Sequence, residues 1–232
     1  MTPLALMTIA LDRVGLPISS TTYKDRAREY LNIALKDVGT RARWRWLYKD
    51  ASFSTADGTR AYSLANDVQD VVSFRDATND HVLQWLTTYD TDRFDPDEDE
   101  SGDPEAAVLV GINSSTGVWN IEIWPTPDAV NTLSYRYYAY LRDLTESDDE
   151  TDLAPKLPDW VQPALIWAVS SRFYAEKGDR EQSLMDENEK ELWIARALER
   201  NRQAGGPQAV RMDRKDDPPV GFEFWVQKGT LT

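Results

Sequence analysis

The chain has 232 residues, of which 40 are acidic and 26 are basic, so its formal net charge at pH 7 is −14. It contains one histidine and no cysteine, which excludes disulfide frameworks, thiolate or multi-histidine metal sites and thiol nucleophiles. The negative balance argues against tight, sequence-independent DNA binding, because such binding needs lysine and arginine to neutralise phosphates. No stretch reaches the roughly 18 apolar residues of a transmembrane helix, so we expect no membrane partner.

Two helices are predicted at the start of the chain. The first runs from about Pro3 to Val14, before Gly15 and Pro17. The second ends near Gly39, and its apolar residues recur at the spacing of one helix face: Tyr23, Ala27, Tyr30, Leu31, Ala34, Leu35 and Val38. This helical hairpin cannot bury both apolar faces by itself, so it needs a partner.

The middle of the chain predicts a β-rich module, a small barrel or sandwich. Seven strands are expected, at Ala51–Thr55, Ala61–Leu64, Val68–Phe74, His81–Leu86, Ala106–Ile112, Gly117–Trp124 and Thr132–Leu141. Asp57-Gly58 between the first two is a strong hairpin signal. Two acidic stretches, residues 90–105 and 145–159, combine acids with proline, and we expect solvated loops there.

Helices return after the second acidic stretch, from about Pro158 to Gly178 and from Asp179 to Ala204. The predicted fold class is therefore α+β. Residues 1–48 and 146–206 would form the two halves of an antiparallel helical bundle, residues 49–145 an inserted antiparallel β-barrel- or sandwich-like domain, and residues 207–232 an extended C-terminal arm. The arm ends in alternating aromatic residues, which suits strand addition to another chain; docking on its own domain is the alternative.

No catalytic motif stands out. The phosphate-loop patterns and the GxSxG elbow are absent from the sequence, and His81 is interpreted as a solvated residue at a strand start. Asp95, Asp97 and Asp99 resemble a calcium loop, but Glu100 stands where that loop needs glycine. We therefore predict no catalytic residue, no cofactor and no metal, with a carboxylate-pair glycosidase as an alternative.

One basic–aromatic cluster is present, in which Arg41, Arg43 and Arg45 alternate with Trp44 and Trp46. Such a cluster can stack nucleic-acid bases. Given the net charge, we prefer the interpretation that the tryptophans belong to the core and the arginines pair with acids.

In its layout and loose motifs the chain resembles head-to-tail adaptor (connector) proteins of tailed bacteriophages over about residues 20–200. The segments that carry the resemblance are AYSLANDVQDVVSFRD, the Gly-Asp-Pro element in ESGDPEAAVLV, the Pro-x-Pro turn in VWNIEIWPTPDAVNTLSYRYYAY, and LPDWVQPALIWAVSSRFYAEKGDREQSLMDENEKEL. The resemblance implies a non-enzymatic structural virion protein of the neck, between capsid and tail, made in the host cytoplasm.

The resemblance also implies partners. We expect a homo-oligomer, a dodecameric ring, that binds the portal protein and a downstream tail or neck protein. Double-stranded DNA would pass through the channel without specific binding. The C-terminal arm would contact the portal, and the residues expected there are Arg211, Arg214, Lys215, Phe222, Phe224 and Trp225. The alternatives are a stopper or tail terminator, a carbohydrate-binding β module, and a metal- or carboxylate-dependent hydrolase.

Overall fold

The computed structural model describes residues 1–149 and 157–203, which contain five α-helices and a largely antiparallel sheet, so the predicted α+β class is confirmed. The helices are α1 Pro3–Val14, α2 Thr21–Thr40, α3 Thr88–Phe94, α4 Gln162–Glu176 and α5 Arg180–Gln203. The strands are β1 Tyr48–Ser54, β2 Ala61–Ser63, β3 Val68–Asp76, β4 His81–Leu86, β5 Ser101–Gly102, β6 Ala106–Ile112, β7 Trp119–Trp124, β8 Thr126–Pro127 and β9 Thr132–Ala139.

The four longer helices share one hydrophobic core. Helix α1 begins where the Thr2 hydroxyl accepts from the Ala5 N–H (3.2 Å), and it ends at Gly15, whose φ of 71° favours glycine. Helix α4 contacts α1, α2 and α5, and the core includes buried residues from all four helices, among them Leu6, Leu31, Leu165, Phe173 and Ile194. The apolar face predicted for α2 is therefore buried against other helices.

The large sheet has seven strands in the order β1-β9-β3-β4-β6-β7-β2, and β5 pairs separately with β8. Its neighbours are antiparallel except β4 and β6, which are parallel. The sheet curls into a half-barrel, and Phe53 of β1 lies against Tyr62 of β2, with ring centroids 4.9 Å apart. The two edge strands are thereby brought side by side.

The predicted hairpin across Asp57-Gly58 is wrong. A turn does form there, since the Thr59 N–H donates to Ala56 O (3.0 Å) and Gly58 has a φ of 67°. However, β1 pairs with β9 and β2 pairs with β7, at opposite edges of the sheet. Strand β2 has only three residues, whereas β1 forms a seven-residue register with β9, so the longer ladder decides the partner.

Strand β9 follows the alternation that its sequence predicts. Leu133, Tyr135, Tyr137 and Ala139 are buried and form a second core with residues from β3, β4, β6 and β7. The acidic residues 90–105 depart from the prediction of a loop, because α3 lies among them. Thr87 and Asp90 cap this helix reciprocally, and α3 contacts β6.

Candidate interaction surfaces

The residues predicted to contact the portal all lie outside the described residues: Arg211, Arg214, Lys215, Phe222, Phe224 and Trp225. The same holds for the whole predicted arm, residues 207–232. The described surfaces of the molecule belong to residues 1–149 and 157–203. Among the helices of these ranges, none combines the length and apolar character needed to cross a membrane.

The residues weighed for catalysis or metal binding have structural partners. A ring nitrogen of His81 lies 2.6 Å from Pro104 O, which ties β4 to the end of the acidic loop. Asp95 is buried, contrary to the solvated loop predicted around it, and its Oδ1 accepts from the Asp99 N–H (3.1 Å). Within the described ranges no group of three or more histidine or acidic side chains is placed to hold a metal ion.

The basic–aromatic cluster is built into the junction between helices and sheet. Trp44 is fully buried, and its indole N–H donates to Val38 O (2.7 Å). Arg41 pairs with Asp37 and Glu191 (2.9 and 2.7 Å), and Arg43 pairs with Asp70 (2.6 Å). This arrangement supports a structural role for Trp44 and Arg41, whereas the Arg43 side chain is 72% exposed despite its ion pair with Asp70.

The solvent face of β1, β9 and β3 holds a polar concavity of about 490 Å³. Ser52, Ser134 and Ser73 line it together with Arg136 and Arg75. Arg136 pairs with Asp50 (3.2 Å), so part of the positive charge is compensated locally. Phe74, Val82 and Tyr135 also line the concavity, so polar and apolar side chains both contribute to it.

The α5 outer face comprises six exposed residues: Leu184, Met185, Leu192, Arg196, Arg200 and Arg202. At 100° per residue, Arg200 and Arg202 lie at its two opposite edges, and the exposed Glu199 lies between them. Its three apolar side chains are 50–56% exposed. At 100° per residue they lie on the side of the helix opposite to Asp186 and Lys190, which are buried. Helix α5 therefore buries two charged residues beside Ile194 and Ala197 and leaves three large apolar side chains in contact with solvent.

Two buried ionic anchors hold α5 in this orientation. Arg13 of α1 donates two hydrogen bonds to Asp186, from Nε (3.2 Å) and Nη2 (2.9 Å), and its guanidinium lies 3.9 Å from the Trp167 ring centroid. Burial raises the pKa of Asp186, but hydrogen bonds from Arg13, Ser170 and Gln182 outweigh burial and hold that pKa below its ordinary value. Lys190 pairs with Asp37, Glu187 and Glu191.

A third anchor corrects the prediction that the second acidic stretch is solvated. Asp148 and Asp149 are buried, while Glu150 and Asp152 lie outside the described residues. Arg28 donates to Asp149 through Nε (3.1 Å) and Nη2 (2.8 Å), and Lys24 pairs with it at 2.8 Å. Arg28 precedes Asp149 by 121 residues, so the ion pair between them cannot be predicted from the composition of the acidic stretch.

The same ion pairs set the titration of Asp149. Burial raises its pKa, but the hydrogen bonds from Arg28 and Lys24 outweigh burial and hold the pKa below its ordinary value. The Leu4 N–H also donates to the backbone oxygen of Asp149 (3.0 Å). The chain that leaves the sheet is therefore fixed to both N-terminal helices.

The acidic segment, residues 88–105, is a strongly negative part of the described chain. It holds nine acidic residues and one basic residue. Tyr89 and Phe94 are among its exposed residues, and Phe94 also touches Trp124 at a centroid distance of 6.4 Å. The sequence shows that this segment is rich in acids and proline. The exposure of Tyr89 and Phe94 depends on helix α3, which the sequence signals only through its Thr87–Asp90 cap.

One comparison with known proteins identifies a family. The model of a family described as SU10 adaptor protein matches residues 1–215. No curated protein matches the chain. The match covers all the described residues and the first part of the predicted arm, including Arg211, Arg214 and Lys215.

Proposed function

The chain belongs to the SU10 adaptor protein family, and from this premise we propose that it joins the portal of a tailed phage to the tail or neck as a structural virion protein. Membership of a phage adaptor family makes it a partner of other phage structural proteins. The family match over residues 1–215 is the observation that carries this proposal. Its role would be assembly, without catalysis, in the neck of the virion.

The proposed working form is a ring of twelve copies around a DNA channel. Residues 1–48 and 146–206 would act as a helical bundle, residues 49–145 as the inserted β domain, and residues 207–232 as the arm. The excess of acid, with 40 acidic against 26 basic residues, favours a channel wall that repels DNA and lets it slide during ejection. A basic channel wall in an assembled ring would contradict this part of the proposal.

The portal contact is assigned to the arm. Phe222, Phe224 and Trp225 would insert into the portal, and Arg211, Arg214 and Lys215 would pair with acids on it. The basic residues lie within the family match and the aromatic ones lie beyond it. This difference allows the two halves of the arm to be tested separately.

The experiment compares portal binding by the full chain and by a chain that ends after Gly206. Purified portal rings are immobilised, and the affinity of each form is measured by biolayer interferometry. We expect the truncated chain to lose binding by two orders of magnitude or more, because buried aromatic anchors commonly carry most of the binding energy. Unchanged affinity would refute the assignment.

A matched pair of full-length variants separates the two halves. The variant Phe222→Ala/Phe224→Ala/Trp225→Ala should bind more weakly at every salt concentration. The variant Arg211→Ala/Arg214→Ala/Lys215→Ala should differ from wild type mainly at low salt, because exposed charges are screened above about 0.15 M. A circular dichroism spectrum identical to that of wild type controls for folding.

A further inference from the structure

The α5 outer face has apolar residues without a described partner. Leu184, Met185 and Leu192 are each half-exposed or more, although leucine and methionine usually contribute to a core. They lie along one side of a 24-residue helix, within a little over two turns of one another. Such a strip is typical of a surface that becomes buried on association.

Toward its C-terminal end the same face carries three arginines and one acid, the exposed Glu199, so its net charge there is positive. Arg196, Arg200 and Arg202 are exposed. Arg196 lies over the Trp193 ring at 5.0 Å, and neither Arg200 nor Arg202 forms an ion pair with a residue of the described ranges. In a chain with a net charge of −14, arginines that lack an ion pair among the described residues and lie next to an apolar strip indicate an acidic partner with an apolar centre.

The acidic segment is complementary to the α5 outer face, because it combines exposed aromatic side chains with negative charge. Tyr89 and Phe94 are exposed on α3, and exposed acids follow them, namely Asp97, Glu98, Asp99, Glu100, Asp103 and Glu105. Across the described ranges the only ion pair from these acids joins Glu98 to Arg60, at 3.6 Å. Among residues 1–149 and 157–203, their mutual repulsion is therefore largely uncompensated.

The two surfaces cannot neutralise each other inside one chain. Asn201, near the end of α5, accepts from the Arg45 N–H (3.1 Å), so the basic end lies beside the start of β1. Asn79, at the turn after β3, donates to Asp103 (3.2 Å), which places the acidic segment at the other end of the sheet. Strand β1 has seven residues, so the two ends are about 20 Å apart, beyond the screening length of about 8 Å.

We propose that the acidic segment of one copy docks on the α5 outer face of the next copy. This inference rests on the proposed function, and it names the two surfaces that meet in the ring. Tyr89 and Phe94 pack on Leu184, Met185 and Leu192, while the acids surround them and pair with the arginines. An apolar centre with a charged rim is the usual anatomy of such contacts. Because the two surfaces differ, the contact runs head to tail, and head-to-tail contacts generate rings when the rotation closes.

Charge reversal tests the pairing directly. One full-length variant carries Asp97→Lys/Asp99→Lys, and a second carries Arg200→Glu/Arg202→Glu. Self-association is measured by sedimentation velocity over a concentration series at low salt. We expect each variant alone to associate at least tenfold more weakly than wild type, because like charges then face each other.

An equimolar mixture of the two variants gives the decisive result. In the mixture, the lysines of one variant meet the glutamates of the other, and the remaining native surfaces also match. We therefore expect association to return to within about threefold of the wild-type strength. A purely structural effect of the substitutions would not be rescued by mixing.

The apolar centre has its own matched control. Leu192→Ser should weaken association, whereas Ile33→Ser, on the exposed side of α2, should leave it unchanged. A wild-type chain that stays monomeric at every concentration overturns the proposal. Binding of a DNA duplex to Arg200 and Arg202 without self-association overturns it as well.

The outcomes also separate this surface from the adaptor role. If wild-type rings form but the mixture does not associate, the proposed contact is wrong and the adaptor role stands. If rings form through this contact but never bind portal, the contact stands and the adaptor role fails.

Discussion

Replacing Arg13 by methionine should destabilise the helical part strongly. Methionine retains an apolar stem over Trp167 but removes both hydrogen bonds to Asp186, whose side chain is fully buried. Breaking a buried ion pair from one side costs about 3–5 kcal/mol. Because the Arg13 side chain is 34% exposed, solvent screens its end of the pair, so we expect the lower limit, about 3 kcal/mol.

The assay is unfolding by urea at pH 7, supported by a thermal melt. For a chain of this size, a loss of about 3 kcal/mol lowers the melting temperature by roughly 9 °C. The control is Lys36→Met, which removes the ion pair with Asp143 (2.7 Å), where both side chains are more than half exposed; it should cost about 0.5 kcal/mol or less.

A double variant tests the mechanism. If the cost arises from an unpaired buried carboxylate, adding Asp186→Leu to Arg13→Met should recover about 1 kcal/mol, since Ser170 can still donate to Trp167 O (3.2 Å). A stability of Arg13→Met within about 0.5 kcal/mol of wild type would refute the role given to the pair.

Two further predictions concern acid stability and the sheet core. The pKa of Asp149 is lower in the folded chain than in the unfolded one, so its contribution to folding stability is complete above the unfolded pKa and is lost as the pH falls. The urea midpoint of wild type should therefore drop between about pH 5 and pH 2. Arg28→Met should make the urea midpoint less dependent on pH over this range. A profile of equal slope in both proteins would contradict that assignment. Leu133→Ala, at a fully buried site, should cost about 3 kcal/mol in urea unfolding, whereas Val130→Ala at an exposed position should change stability little; equal effects would contradict the placement of the second core.

The regular elements could be predicted because their signals are local. The helix predicted from Pro3 to Val14 is α1, and the alternation along β9 correctly assigns Leu133 and Tyr135 to the core. Periodicity reports which face of an element is buried, and this needs no knowledge of the partner. Helix α3 was also signalled locally, by the Thr87–Asp90 cap, but the surrounding acids and Pro96 obscured it.

The pairings between distant residues could not be predicted in the same way. The Asp57-Gly58 turn indicated a hairpin, but the choice of β9 for β1 depends on residues about 80 positions further along the chain. Asp149 looked solvated because its cations, Arg28 and Lys24, belong to α2. The outer face of α5 could not be predicted for the same reason, because only the burial of Asp186 and Lys190 shows which side of this highly charged helix faces the core.

The predicted arm differs from both cases. Its contact residues were proposed from a pattern of aromatic residues and from resemblance to a family, and they lie outside the described residues. The predicted contact between the arm and the portal is therefore tested only by the portal-binding experiments. The surfaces on α5 and in the acidic segment are independent of it, because they rest on exposure and charge within the described ranges.

The curled sheet affects how readily single copies aggregate before assembly. Open sheet edges are templates on which further chains can add and aggregate. Here one edge, β2, has only three residues, and the other, β1, carries Lys49 and Asp50; Phe53 and Tyr62 hold the two edges against each other. Short, charged and mutually covered edges of this kind lower the tendency of a newly made copy to add strands from other copies.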